Sequence, residues 1–110
     1  MKKQIKFAPE LISSILSGEK VSTWRLFDDK NLADGDILEL LNKETLQHVA
    51  TAQIIQVIEK PLGLLSDKDT RGHEKFNSDE EMYQTYKKYY NRSVDKDTIV
   101  KLIWFKLLSR

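Results

Sequence analysis

The first apolar pattern in the chain is helical. Over residues 9–17 the apolar side chains recur on one helical face, proline stands at the start, and Gly18 follows the last turn. Proline suits the first position of a helix, and glycine suits a left-handed cap at its end. From Val21 the polar and apolar residues alternate with a period of two, as in a strand. The pattern therefore predicts a helix, a turn at Gly18 and a strand.

The rest of the pattern predicts four further strands and a second helix. Ser78 precedes three acidic residues as a capping box, and tyrosines then recur at helical spacing to about Asn91. Pro61 and Gly63 interrupt the apolar pattern, and we expect a short helical turn over 64–67. The predicted strands besides the one from Val21 are 4–7, 37–42, 49–58 and 99–108.

These elements predict an α+β fold. In the 49–58 run neither face is purely polar, so we expect both faces to be partly covered, as in a small barrel. The pattern alone is equally compatible with a generic α+β sheet. A chain of 110 residues has room for one domain, which we expect to span 1–110.

The amino-acid composition excludes several classes of function. The chain has 18 basic and 17 acidic residues, so any nucleic acid must be bound at a local site and not through bulk charge. It has no cysteine, which excludes disulfides and thiolate metal sites and fits a reducing compartment. We find no apolar segment of membrane-spanning length, and therefore expect a soluble, cytoplasmic protein with no membrane partner.

Three chemically useful side chains lie close together in Gly18–Arg25. If the strand begins at Val21, Thr23 and Arg25 project from one face while Trp24 projects from the other, and Lys20 arrives from the turn beside them. A threonine in a strand is also explained by β-propensity, and a cation at a strand end by solvation. If the three side chains serve one site, we expect them to converge on one concavity, with Trp24 directed into the core.

The same segment resembles the signature G-x-K-x-x-T-x-R of the ASCH domain family, small proteins related to the PUA domain. Gly18, Lys20, Thr23 and Arg25 match all four specified positions, and the stretches 25–36 and 72–76 are also similar to the family. The resemblance implies a small mixed β-barrel of the PUA-like type with two main flanking helices. It also implies a cleft, formed by these four residues, that binds RNA or a modified nucleoside or nucleotide.

The resemblance further implies a second, enzymatic hypothesis. In some small ASCH proteins the motif Lys and Thr, with a Glu from the loop before the second helix, hydrolyse the N4-acetyl amide of acetylated cytidine. Carried over, these catalytic residues are Lys20 as base, Thr23 as nucleophile and Glu74 as proton donor, with Glu80 or Glu81 as the alternatives. A third hypothesis, a structural or protein-interaction domain, applies if side chains fill the cleft.

Other chemistry-bearing residues have simpler interpretations. We expect core packing for Trp24 and Trp104, although either ring could stack on a base. The tyrosines of the second helix alternate with basic residues, a pattern that suits RNA binding. They also share one face of the helix, which is typical of residues that pack in a core. His48 and His73 lack partners at metal-ligand spacing, so we expect no metal, and no motif predicts a cofactor. The sequence does not indicate an oligomeric state.

Overall fold

The computed structural model describes residues 2–71, 73 and 75–109 of the chain. The described chain forms five strands, two α-helices and one short 3₁₀ turn. In chain order these elements are β1 (Lys2–Phe7), α1 (Pro9–Ser17), β2 (Ser22–Leu26), β3 (Ile37–Asn42), β4 (His48–Pro61), the 3₁₀ turn (Leu62–Leu64), α2 (Asp79–Tyr90) and β5 (Ile99–Ser109).

All five strands belong to one mixed sheet in the order β1-β3-β4-β5-β2. The pair β1–β3 is parallel, and the other three pairs are antiparallel. Register shifts interrupt the long β4–β5 ladder at 51–52 and 54–56, and such irregularities increase the local twist of a sheet. The sheet curves into a half-barrel flanked by two helices, which confirms the predicted α+β class. Its two edges are β1 and β2.

Two apolar clusters form the interior. In the first, α1 packs through Ile15 against residues of β1, β3, β4 and β5. In the second, α2 packs through Met82 against residues of β2 and β5, including Trp24 and Trp104. Each helix thus covers its own part of the sheet, and a gap remains between them beside the two edge strands.

The predicted helices agree closely with the structure. α1 spans Pro9–Ser17 and ends at Gly18, whose φ of 88° is the left-handed conformation expected of this cap. α2 begins after Ser78, whose hydroxyl accepts a hydrogen bond from the backbone N–H of Glu81 at 3.1 Å. Asn91 ends it, again in the left-handed conformation.

The helical turn that was predicted over 64–67 lies earlier in the chain, at Leu62–Leu64. β4 continues through Pro61, which pairs with Ile99, and the turn occupies Leu62–Leu64. Proline is tolerated at a strand end because no ladder bond is required from its nitrogen there. The Gly63 N–H then donates to the Lys96 carbonyl oxygen at 2.9 Å, which fixes the turn against the segment before β5.

A buried ion pair fixes the loop between β2 and β3. The Asp28 carboxylate accepts hydrogen bonds from the Lys101 ammonium at 2.7 Å and from the backbone N–H groups of Lys30 and Leu32 at 3.0 Å each. Burial alone raises the pKa of Asp28, but these hydrogen bonds and the charge of Lys101 outweigh it, so the pKa lies below its ordinary value. The loop leaving β2 is therefore held to β5.

Candidate functional site

An open cleft of about 310 Å³ lies where α1, α2 and the two edge strands meet. Clefts of this size are large enough to accept a small organic ligand. The side chains of the described residues do not fill this cleft. It is lined by Lys6, Phe7, Ala8, Glu10, Leu11, Lys20, Thr23, Trp24, Arg25, Lys43, His73, Phe76, Thr85, Tyr86, Tyr89 and Tyr90.

The turn after α1 carries Lys20 into the cleft. The Lys20 backbone N–H donates to the Ser14 carbonyl oxygen at 3.0 Å, which holds the turn against the end of the helix. Lys20 as a whole residue is only 5 % exposed. Its ammonium donates to the Ser22 carbonyl oxygen at 2.7 Å and lies 5.9 Å from the centre of the Phe7 ring. A polar contact and an aromatic face thus accompany a cation that is seldom buried.

Thr23 is buried in β2, the edge strand beside the cleft. Its hydroxyl makes no hydrogen bond within the described part of the chain. A hydroxyl can both donate and accept, and burying one without a partner costs free energy. Thr23 therefore retains hydrogen-bonding capacity that a molecule in the cleft can use.

Arg25 projects from the same strand and reaches across to β1. Its Nη2 donates to the Lys6 carbonyl oxygen at 3.4 Å, and its guanidinium carbon lies 5.7 Å from the centre of the Phe7 ring. Its Nε is buried and has no hydrogen-bond partner among residues 2–71, 73 and 75–109. In that same set no carboxylate lies within 4 Å of the guanidinium. Arg25 thus joins the two edge strands and keeps an unused donor.

Aromatic rings from β2, the loop before α2 and α2 itself form one wall of the cleft. The Trp24 and His73 rings stack with centroids 4.0 Å apart and an interplanar angle of 11°. The centre of the Phe76 ring lies 6.4 Å from that of Trp24 and 5.7 Å from that of Tyr86. The prediction that Trp24 points into the core is thus confirmed in part, since the ring is buried in the second cluster while it also lines the cleft. Trp104 packs in that cluster, as predicted.

Tyr90 joins the aromatic wall to the backbone of β2. Its hydroxyl oxygen accepts a hydrogen bond from the Leu26 N–H at 3.1 Å. Burial raises the pKa of the Tyr90 hydroxyl, and the hydrogen bond from Leu26 and the nearby charge of Arg25 oppose that shift only partly. Tyr90 therefore stays neutral and holds α2 against the edge strand.

The mouth of the cleft is bridged by Lys43 and Tyr89. Lys43 follows β3, and its backbone N–H donates to the Phe7 carbonyl oxygen at 2.8 Å. The Lys43 ammonium lies 4.4 Å from the centre of the Tyr89 ring, which in turn packs edge-on against Tyr90 at 4.9 Å. Tyr89 is 52 % exposed, so this contact lies at the solvent side of the cleft.

Cations outnumber anions among the described lining residues. Lys6, Lys20, Arg25 and Lys43 are basic, and Glu10 is the one acidic residue of the described lining. The N-terminus of α1, where Ala8 provides no side-chain cap, also faces the cleft and adds positive potential. The described lining therefore carries a net positive charge, although the whole chain has a formal charge of only +1.

A second buried ion pair supports the loop that brings His73 to the cleft. The Asp69 carboxylate accepts hydrogen bonds from Lys60 at 2.7 Å and from the Ser66 backbone and hydroxyl. Burial acts to raise the pKa of Asp69, but these hydrogen bonds and the Lys60 charge lower it overall. The Arg71 carbonyl oxygen then accepts a hydrogen bond from Trp104 Nε1 at 3.2 Å. The loop is thus attached to β4 at Asp69 and to β5 at Arg71.

A larger depression of about 810 Å³ lies outside β1 and β3, but its charged side chains other than Lys30 are already paired. The Glu39 carboxylate contacts Lys2 at 2.8 Å and His48 Nε2 at 2.6 Å. Lys3 is paired with Asp36 at 2.7 Å. Within the described part of the chain no group of three or more His, Asp or Glu residues could hold a metal ion. We therefore regard the cleft at Lys20, Thr23 and Arg25 as the candidate site.

The expected convergence of Lys20, Thr23 and Arg25 on one concavity is found. Gly18 shapes the turn but does not itself line the cleft. Glu74 lies outside the described residues. The two alternatives to Glu74 point elsewhere, since Glu80 accepts a hydrogen bond from Gln84 and Glu81 accepts one from Asn77.

Several lining residues were missed by the motif. Phe7, Lys43 and Glu10 come from distant segments, and only the pairing of β1 with β3 brings the first two together. The sequence did indicate Tyr86, Tyr89 and Tyr90 as possible ligand contacts, because basic residues alternate with the tyrosines of α2. The tyrosines also lie along one face of the helix, however, which is typical of side chains that pack in a core.

The comparisons with known proteins bear on the fold. No family model and no curated protein matches the chain. Among solved structures, the ASCH domain from Lactobacillus crispatus JV V101 aligns with a TM-score of 0.76 at 14% identity, over 99% of this chain and 80% of that one. This protein has the fold of an ASCH domain.

Two further structures agree with that assignment. A protein from Enterococcus faecalis V583 aligns with a TM-score of 0.81 at 16% identity, over 99% of this chain and 77% of that one. The ASCH protein from Zymomonas mobilis aligns with a TM-score of 0.66 at 15% identity, over 94% of this chain and 66% of that one. The predicted ASCH-type, PUA-like α+β fold is thereby confirmed, with the sheet forming a half-barrel. None of the described helices has the length and apolar character needed to span a bilayer.

Proposed function

We propose that the cleft binds a nucleotide or nucleoside, free or within a segment of RNA. The observation that carries the proposal is the combination of aromatic rings, an unpaired hydroxyl and a cation in one open cleft. The rings of Trp24 and Tyr86 line the cleft, where the Thr23 hydroxyl makes no hydrogen bond within the described residues and the Arg25 guanidinium has no carboxylate partner among them. Base recognition by proteins uses this pairing of stacking with a few directed hydrogen bonds.

The ASCH-type fold and the match of the Gly18–Arg25 segment to the family signature also favour this proposal. The fold alone does not define a ligand, because one fold hosts many functions. The electropositive lining adds a physical argument, since it attracts an anionic ligand and repels a cationic one.

A binding titration with a matched variant tests the proposal. Trp24 lines the cleft, so its fluorescence reports occupancy by nucleosides, nucleotides and short single-stranded RNAs. We expect Thr23→Val, which keeps the side-chain shape, to weaken binding about fivefold through loss of one hydrogen bond. Thr45→Val, in an exposed turn outside the cleft, is the control and should bind as the wild type does.

Two results would contradict the proposal. One is a wild-type protein that binds none of the nucleosides, nucleotides or RNAs. The other is a Thr23→Val variant with unchanged affinity for a ligand that the wild type binds. If RNA is the ligand, its affinity must also fall as salt rises, because phosphate contacts release counterions.

A second candidate is hydrolysis of the acetyl amide of N4-acetylcytidine. The observation that favours it is the burial of both Lys20 and Thr23 at the same cleft. Amide hydrolysis needs a nucleophile and a base within reach of the carbonyl carbon, and water is then consumed as acetate and cytidine are released. The ASCH resemblance assigns Thr23 and Lys20 to these roles and Glu74 to proton donation.

Turnover separates the two candidates. Incubation with N4-acetylcytidine followed by chromatography measures the cytidine produced. We expect Lys20→Ala and Thr23→Val to lose more than about a hundredfold of any wild-type rate, as removal of a base or nucleophile does. Full turnover in both variants would exclude this mechanism, and binding without wild-type turnover would leave only the binding function.

A further inference from the structure

Two ammonium groups at the rim of the cleft lack an acidic partner. Lys6 lies on the exposed side of β1, and Lys43 lies next to the end of that strand because its N–H is bonded to the Phe7 carbonyl oxygen at 2.8 Å. Both side chains line the cleft. Within the described residues no carboxylate lies within 4 Å of either ammonium.

The neighbouring lysines of the same strand are arranged differently. Lys2 is paired with Glu39 at 2.8 Å, and Lys3 is paired with Asp36 at 2.7 Å. β1 therefore carries neutralised charge along most of its length and free positive charge where it reaches the cleft. Lys43 rests against the Tyr89 ring at 4.4 Å, a contact weaker than one with an anion in the same place.

We propose that Lys6 and Lys43 form an anion subsite at the rim, which holds a phosphate of the ligand while its base occupies the inner part of the cleft. This inference rests on the proposed function and names its ligand more closely, as a phosphorylated nucleoside. The inner part, with Thr23 and the aromatic wall, recognises the base. The rim adds affinity only when a phosphate is present.

Charge along the cleft supports this division. Lys20 and Arg25 lie at the inner end, where Phe7 contacts both cations, and Lys6 and Lys43 lie towards the solvent. Glu10 is exposed and contributes one negative charge, which leaves the described lining positive. A phosphate brings one to two negative charges, so its contact with two ammonium groups restores approximate neutrality.

The test compares each nucleoside with its 5′-monophosphate and with a dinucleotide at low salt. We expect the wild type to bind a monophosphate about tenfold more tightly than the nucleoside with the same base, which corresponds to two exposed charge contacts. In the double variant Lys6→Gln/Lys43→Gln the ratio should fall to near one. Lys87→Gln/Lys88→Gln, on the exposed side of α2 and outside the cleft, should keep the wild-type ratio. Preference for the dinucleotide over the monophosphate would identify the phosphate as one of an RNA chain.

A separate measurement distinguishes failure of the subsite from failure of the proposed function. Inorganic phosphate is titrated into ¹⁵N-labelled protein, and the amide signals of residues 6 and 43 are followed. Equal affinity for nucleoside and monophosphate, or a tenfold ratio that persists in Lys6→Gln/Lys43→Gln, overturns the subsite and leaves the proposed function standing. Shifts with phosphate and with monophosphates, but none with any nucleoside, support the subsite and overturn recognition of the base. No response to either ligand overturns both.

Discussion

Asp28 offers the most direct test of how the fold supports the cleft. Its carboxylate neutralises Lys101 at 2.7 Å, and the two side chains are only 9 % and 12 % exposed. Replacement by alanine leaves the buried Lys101 ammonium with the Leu32 carbonyl oxygen, at 3.0 Å, and with the solvent-exposed carboxylate of Glu59, at 3.7 Å. It also leaves two backbone N–H groups without their acceptor.

The loss of stability expected for Asp28→Ala follows from these contacts. Removing one partner of a buried pair usually lowers the free energy of unfolding by about 3 to 5 kcal/mol. Because Lys101 keeps a carbonyl contact, we expect the lower end, about 3 kcal/mol, for Asp28→Ala. For a domain of this size that corresponds to a fall in Tm of more than about 10 °C.

Urea unfolding followed by tryptophan fluorescence measures this loss, since both Trp24 and Trp104 are buried. The neighbouring exposed residue gives a matched control, and Asp29→Ala should change stability by less than about 0.5 kcal/mol. Adding Lys101→Met to Asp28→Ala removes a buried charge that has lost its nearest carboxylate and should recover part of the loss. A loss below about 1 kcal/mol for Asp28→Ala, or no recovery in the double variant, would refute the reasoning.

The same pair gives stability a defined pH dependence. The pKa of Asp28 is lowered in the folded state, so its contribution is fully present above the ordinary pKa of an aspartate. The contribution is lost as pH falls through the lowered folded pKa. The stability difference between wild type and Asp28→Ala should therefore stay constant from neutral pH down to about pH 5 and then shrink in acid. A difference that grows on acidification would show the opposite sign and contradict the pairing.

Two further predictions concern single contacts. Tyr90→Phe removes the acceptor of a backbone N–H in β2 and should lower the free energy of unfolding in urea by about 1 to 2 kcal/mol. Tyr89→Phe is the control and should change stability little, and equal effects of the two substitutions would contradict the assigned hydrogen bond. Gly63→Ala places a Cβ 2.8 Å from the Lys96 Cβ and 3.1 Å from its carbonyl oxygen, so we expect a loss of about 1 to 3 kcal/mol, and unchanged stability would show that the turn can move.

Local chemistry explains why the helices could be predicted from the sequence. The left-handed conformation of Gly18 and the hydroxyl cap of Ser78 depend on residues within one helical turn, so the sequence contains the whole signal. The convergence of Thr23 with Lys20 was predictable for the same reason, since both lie within a few residues of Gly18. The family signature added the expectation of a barrel.

The rest of the cleft depends on contacts distant in sequence. Lys43 reaches the site because β3 pairs with β1 in parallel, and no local pattern specifies that register. The His73 ring stacks on Trp24 across a long loop, which a period-based argument does not address. The tyrosine stripe was ambiguous because Tyr86 and Tyr90 pack on the core and line the cleft at once.

Residues of the cleft also protect the two edges of the sheet. β1 and β2 are the edges of the sheet, and unpaired edges expose backbone groups that favour aggregation. Tyr90 satisfies an N–H of β2, and Arg25 donates to a carbonyl oxygen of β1, so residues that line the cleft also cover the edges. A substitution at Arg25 therefore changes stability as well as binding. Thr23 makes no such contact within the described residues, and for this reason its valine variant, and not an Arg25 variant, is the decisive test of ligand recognition.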